Sequence, residues 1–188
     1  HCGAGEHGNI PMHMAQGMYG MILVEPKDPL PKVDKEFYVM QGELYTKGRI
    51  GEKGFQEFDP NKMLYENPEY VTFNGRVNAL VDHPMYAKVG ESVRIYFGDA
   101  GVSYASSFHI MGEIFDTLYE YGSTSSIRDN VQTALVPAGG AAIVDVALEV
   151  PGNYVLLDHS ISRTDKGAWG ILQATGKENL QIYRGITK

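Results

Sequence analysis

A single cysteine, Cys2, rules out an internal disulfide in this 188-residue chain. No stretch approaches the roughly 18 uninterrupted apolar residues that a membrane-spanning helix needs, so none is predicted. Basic residues are scarce as well. With 16 Lys and Arg against 23 Asp and Glu, the net charge is −7. No basic stripe suited to a phosphate backbone is present, so nucleic acid is not an expected partner. An acidic surface suits a basic partner or simply keeps the protein in solution. Neither an initiator methionine nor a signal peptide opens the sequence, and His1 is expected to be a processed terminus or the start of a fragment.

What is present reads mostly as β-structure in an ordinary globular mix, 43% hydrophobic and 21% charged. "AIVDVALEV" sets Val144, Val146, Leu148 and Val150 against Asp145 and Glu149. "SVRIYF" likewise sets Val93, Ile95 and Phe97 against Ser92, Arg94 and Tyr96. That period of two predicts half-buried strands. "KEFYVMQGELYT", "EYVTFNGRV", "FHIMGEIFDTLY", "VQTALV", "NYVLLDHS" and "WGILQAT" are further strand candidates, separated by turn signals at 89–91, 137–140 and 151–153. Short strands at this spacing suggest a β-sandwich or Greek-key barrel. One helix is expected in "DPNKMLYENP", with Asp59 as N-cap, Pro60 at the first helical position and Pro68 beyond its end. "EPKDPLPKVDK", 25–35, carries three prolines and reads as a linker.

A weak internal repeat aligns "GMYGMILVEP" (17–26) with "GAWGILQATG" (167–176). Gly17 matches Gly167, Tyr19 matches Trp169 and Gly20 matches Gly170. Both segments read as the last strand of a sandwich. In this alignment Met18 falls on Ala168 and His13 on Arg163, so the second copy keeps a scaffold without the first copy's polar and sulfur side chains.

Those side chains cluster at the start, in "HCGAGEHGNIPMHMAQGM", which holds the only cysteine and three of the six histidines. A thiolate, an imidazole and a thioether together suit copper, and blue-copper sites use two His, one Cys and a weak axial Met. Cys2, His13 and Met18, followed by "YGMILV", fit the order of such a loop before a final strand. The remaining methionines of the stretch read as apolar filler. His7, within the glycine-rich "GAGEHGN", reads as a solvated bystander. The second histidine of a blue site is missing and is expected before His1. Neighbours on a strand point to opposite faces. If Cys2 points at one copper, His1 points outward, either as a plain surface histidine or toward a second metal.

Taken together, "HC…MH…GMYGMILVEP", "LPKVDKEFYVMQGELYTKG", "SSFHIMGEIFD", "VPAGGAAIVDV" and "PGNYVLLDHSISR" resemble the C-terminal part of copper-containing, nitric-oxide-forming nitrite reductases. The nearest pattern is the outer-membrane branch of Neisseria. The resemblance implies an all-β, cupredoxin-like Greek-key fold: residues 1–27 ending a first cupredoxin domain, 28–177 forming a complete second one, and 178–188 a tail. It implies Cys2, His13 and Met18 as type 1 copper ligands, His1 as a type 2 copper ligand, and His159 as the type 2 ligand given to a neighbouring subunit of a homotrimer. The other type 1 His, the third type 2 His and a catalytic Asp are expected upstream. His109 matches the catalytic histidine above the substrate, and Met111 stands where many members carry an isoleucine beside nitrite. Gln132 and Thr133 are candidates to orient His109, Asp158 is a weaker candidate to support His159, and His83 reads as structural or solvated.

The implied partners are nitrite and a small electron donor, a cupredoxin or c-type cytochrome. A periplasmic or outer-membrane-anchored location follows by resemblance, with any anchor outside this chain, and the fragment alone is expected to be inactive. Two alternatives stay open. A multicopper oxidase would carry a His-Cys-His signature, broken here by Gly3 after Cys2. A single-cupredoxin electron carrier would have no use for a second sandwich with His109 and His159.

Overall fold

The computed structural model describes residues 1–4 and 9–185. Among the described residues, eleven strands form two sheets. They are β1 (Lys35–Leu44), β2 (Tyr70–Phe73), β3 (Met85–Lys88), β4 (Ser92–Asp99), β5 (Ser106–Met111), β6 (Phe115–Tyr119), β7 (Ile127–Val131), β8 (Thr133–Val136), β9 (Ala141–Ala147), β10 (Gly152–Asp158) and β11 (Trp169–Thr175). One sheet runs β2-β1-β4-β9-β6-β7, the other β3-β11-β10-β5-β8. The β1–β4 and β3–β11 pairs are parallel, and the remaining pairs antiparallel. Among the described residues there are three short α-helices: α1 (Ile10–Ala15), α2 (Pro60–Leu64) and α3 (Ala79–Asp82). No helix among the described residues is long and apolar enough to cross a membrane.

The inward side chains of both sheets meet in one core. Val93, Ile95 and Phe97 of β4 are fully buried, as the alternation predicts. Phe97 stacks on Phe108 of β5 at 4.1 Å between ring centroids, and Phe73 meets Phe97 edge-on at 5.9 Å. The Phe97–Phe108 stack joins the two sheets across the core, and both contacts add to simple burial. Arg94 keeps the outward face that the alternation predicts but is not exposed there. It is buried in a bidentate pair with Asp145 on the neighbouring strand, with N–O distances of 2.7 and 2.6 Å.

Several expectations are corrected. "FHIMGEIFDTLY" is two strands, because Gly112 turns the chain at a φ of +95° and sends β6 into the opposite sheet. "VQTALV" begins only at Thr133; Asn130 bends the chain at a φ of +58°, and Val131 ends β7 in the other sheet. The short β3 and the polar β7 lacked a sequence signal. The segment 17–26 forms no strand, unlike its repeat partner at β11. A strand requires a neighbour for its backbone groups, and this segment pairs with none among the described residues. Ile22 and Val24 there are 89% and 81% exposed. The expected helix is shorter than its motif, but Asp59 does cap it, accepting from the Asn61 and Lys62 N–H groups.

Candidate metal centre

Cys2 and His13 have ten residues between them in sequence but are adjacent in space. The Cys2 Sγ lies 3.2 Å from the His13 Nδ1. The unforeseen helix α1 achieves this: Pro11 sits in its first turn, His13 is its fourth residue, and Ala15 at its end is buried. The Gln16 and Met18 N–H groups both donate to the His13 carbonyl, and the Cys2 N–H donates to the Met18 carbonyl at 2.8 Å. The three candidate ligands are thus tied by their backbones. Met18 keeps its side chain 52% exposed.

This pair fits a soft metal. Bonds of about 2.3 Å to sulfur and about 2.0 Å to nitrogen, at tetrahedral to trigonal angles, place the two ligand atoms about 3.5–3.7 Å apart, so the 3.2 Å contact needs only a slight opening to admit one. Among the described residues no group of three or more His, Cys, Asp or Glu side chains converges. His1 is exposed, and its Nδ1 lies 2.8 Å from the Cys2 carbonyl oxygen. His7 lies outside the described residues. His83 is exposed at the end of α3.

A second constellation sits on the five-stranded sheet. In β5, Phe108 and Ile110 point into the core with no exposed surface, which turns His109 and Met111 to the opposite face. His109 faces Thr133 across the β5–β8 ladder. Its Nδ1 donates to the Gln132 carbonyl at 2.7 Å and lies 3.2 Å from the Thr133 Oγ1. A carbonyl only accepts, so Nδ1 carries the proton and Nε2 is the free nitrogen. The orienting group on Gln132 is its backbone oxygen, not its side chain. His159 follows the end of β10, and its ring meets His109 edge-on with centroids 5.0 Å apart. Met111, 51% exposed, shares the outward face of β5.

Asp158 does not touch His159 through its carboxylate. It is fully buried and accepts four hydrogen bonds: from Gln41 Nε2 (3.1 Å), Ser107 N (3.1 Å), Ser160 N (3.0 Å) and Arg163 Nη1 (2.6 Å). The effect on His159 runs through the turn it builds, and the His159 N–H donates to the Ser107 carbonyl at 2.8 Å. Arg163 also donates to the Ala105 carbonyl and stacks over Tyr104.

Sequence reasoning missed a further acid, Asp99, at the end of β4. It is 1% exposed, its Oδ1 accepts the Gly101 N–H at 2.9 Å, and its Oδ2 has no partner. Burial pushes it up to about 8, opposed by the Gly101 hydrogen bond and reinforced by the Glu43 and Asp158 carboxylates. It borders a cavity of about 320 Å³ shared with His1 and Tyr19. Only its acidic character within an apolar strand end could have drawn notice.

No family model matches the chain. It is 53% identical over 97% of its length to a copper-containing nitrite reductase of Neisseria meningitidis, covering 47% of that protein. The chain spans about half the length of the curated relatives it matches. The solved copper nitrite reductase of Nitrosomonas europaea superposes with a TM-score of 0.77 at 34% identity, over 93% of this chain and 61% of that one. A multicopper oxidase structure, at a TM-score of 0.72 and 24% identity over 88% of this chain and 53% of that one, shares the fold alone. In sequence and in fold, this all-β chain is related over nearly its whole length to copper-containing nitrite reductases.

Proposed function

We propose that this chain is part of a copper-dependent enzyme that reduces nitrite to nitric oxide. The observation that carries this reading is the pairing of His109 with His159, beside a separate Cys2–His13 contact. One set suits electron uptake and the other suits proton delivery. The reaction takes one electron and two protons per nitrite and releases one water. Cys2, His13 and Met18 would hold a type 1 copper, and His1 and His159 would contribute to type 2 copper sites. His159 would serve the site of a neighbouring subunit in a homotrimer. When bound, copper supplies electron transfer and an open position for the anion.

The protein's own groups do the rest. His109 is held through Nδ1 by the Gln132 carbonyl and Thr133, which fixes the ring and leaves Nε2 outside that clamp. Imidazole is the side chain best suited to giving up a proton near neutral pH. Met111, on the same face, would shape the nitrite pocket. The single peptide link between His1 and Cys2 would join the two copper centres. The domain division at 27/28 and the tail from 178, a periplasmic setting and a cupredoxin or cytochrome donor belong to the same proposal.

The test uses the full-length protein loaded with copper. Nitrite consumption and an intense thiolate-to-copper absorption band are expected together. Replacing His109→Ala should cut turnover by about 10²–10⁴-fold, the range of general acid catalysis, and leave that band in place. Turnover equal to the parent's would remove His109 from the mechanism.

A further inference from the structure

Between the candidate copper loop and the sandwich stands Tyr19, the residue after Met18. Gly42 of β1 is buried, and a Cβ built on it would land on the Tyr19 hydroxyl, with the ring's Cζ at 2.8 Å. The ring therefore fills a notch that only glycine leaves open. Two residues on, the Met21 Sδ lies 3.1 Å from where a Cβ of Gly98 would sit, beside the Met40 sulfur. Met40 and Gly98 are register partners in the parallel β1–β4 pair, so the two notches lie on adjacent strands. Beyond this point the segment loosens, with Ile22, Leu23 and Val24 all exposed.

Upstream of Tyr19 the chain is tightly coupled. The Tyr19 N–H donates to the Gly17 carbonyl, the Met18 N–H to the His13 carbonyl, and the Cys2 N–H to the Met18 carbonyl. A displacement of Tyr19 is thereby passed to Met18 and to the backbones of both other candidate ligands. We propose that Tyr19 is a positioning residue for the type 1 copper loop, docked in the Gly42 notch so that the second sandwich sets where Met18 and Cys2 stand. This inference rests on the copper reading of Cys2, His13 and Met18.

The experiment compares Gly42→Ala, Tyr19→Ala and the double variant in the copper-loaded full-length protein. The readouts are the thiolate-to-copper spectrum, the type 1 reduction potential and hydrogen exchange at the Cys2 amide. Each single substitution should shift the band ratio and the potential and cost Cys2 its amide protection. In the Tyr19→Ala background, Gly42→Ala should add nothing, because the group it strikes is gone. Gly170→Ala is the control for a merely structural effect. Its Cβ would strike Leu80 on the far side, so it should lower the unfolding temperature and leave the spectrum unchanged.

A parental spectrum in either folded single variant overturns the inference, as does an equal spectral shift from Gly170→Ala. If Gly42→Ala fails to fold, Tyr19→Ala with its exchange readout still decides. Absence of the thiolate band from the parent protein overturns the copper reading, and this inference with it.

Discussion

Replacing Asp158 by alanine tests how the histidine pair is held. Its carboxylate is fully buried and anchors four donors, one from β1, one from β5, one from the turn after His159, and the Arg163 guanidinium. The substitution leaves Arg163, whose side chain is 17% exposed, with only the Ala105 carbonyl and the Tyr104 ring. Breaking a buried pair from one side costs about 3–5 kcal/mol. Two unsatisfied backbone N–H groups bring the loss to the order of 5 kcal/mol, against about 5–15 kcal/mol for a typical domain. Asp158→Asn keeps an acceptor for Ser107 and Ser160 but turns an amide toward Arg163, for a loss of about 2 kcal/mol. Urea unfolding measures both, provided the slope stays constant. The first loss should appear in hydrogen exchange at the His159 amide, whose partner is the Ser107 carbonyl. An alanine variant that loses less than about 1 kcal/mol would refute this account of the turn.

Asp99 gives a pH signature. Burial raises it to about 8, so above about pH 4 the unfolded chain releases a proton that the folded chain keeps. Its stabilising share is therefore largest at low pH and falls by about 1.4 kcal/mol per unit between roughly pH 4 and 8. Asp99→Asn should flatten the stability–pH curve in that window, and an unchanged slope would contradict the burial argument. Thr133→Val should weaken nitrite turnover by no more than about tenfold, because the Gln132 carbonyl still holds the His109 Nδ1. A loss as deep as that of His109→Ala would mean that Thr133 acts on substrate directly.

The strands that carry the core were legible where burial is one-sided. Alternation placed β4 and β9, and the structure shows the same alternation in β5, where His109 lies opposite Phe108 and Ile110. The adjacency of His109 and Thr133 followed from two neighbouring strand candidates and is a direct register pair. Sheet membership was not legible. Nothing local in "FHIMGEIFDTLY" says that β5 and β6 lie in different sheets, since that depends on which strands each meets far along the chain. Polar residues misled for a related reason. Arg94 looks solvent-facing by pattern and Gln41 by polarity alone, yet each is buried because a partner on another strand, Asp145 or Asp158, satisfies it. The 17–26 segment shows the converse. Its strand-like pattern does not make a strand without a neighbour to complete the ladder.

The buried polar groups explain why the two candidate centres can be held by one sandwich. Apolar packing alone fixes a sheet's face but tolerates small shifts along it, whereas a hydrogen-bonded carboxylate fixes both position and orientation. Asp158, Gln41, Ser106 and Arg163 form such a lock beneath the histidine pair, joining β1, β5 and the turn after β10. Gln41 neighbours Gly42, the notch that receives Tyr19, and pairs in register with Asp99. One stretch of β1 therefore touches both the support of His159 and the dock of the copper loop. A substitution at Gln41 that breaks its contact with Asp158 is expected to disturb both centres. Damage confined to one would show that the two are held independently.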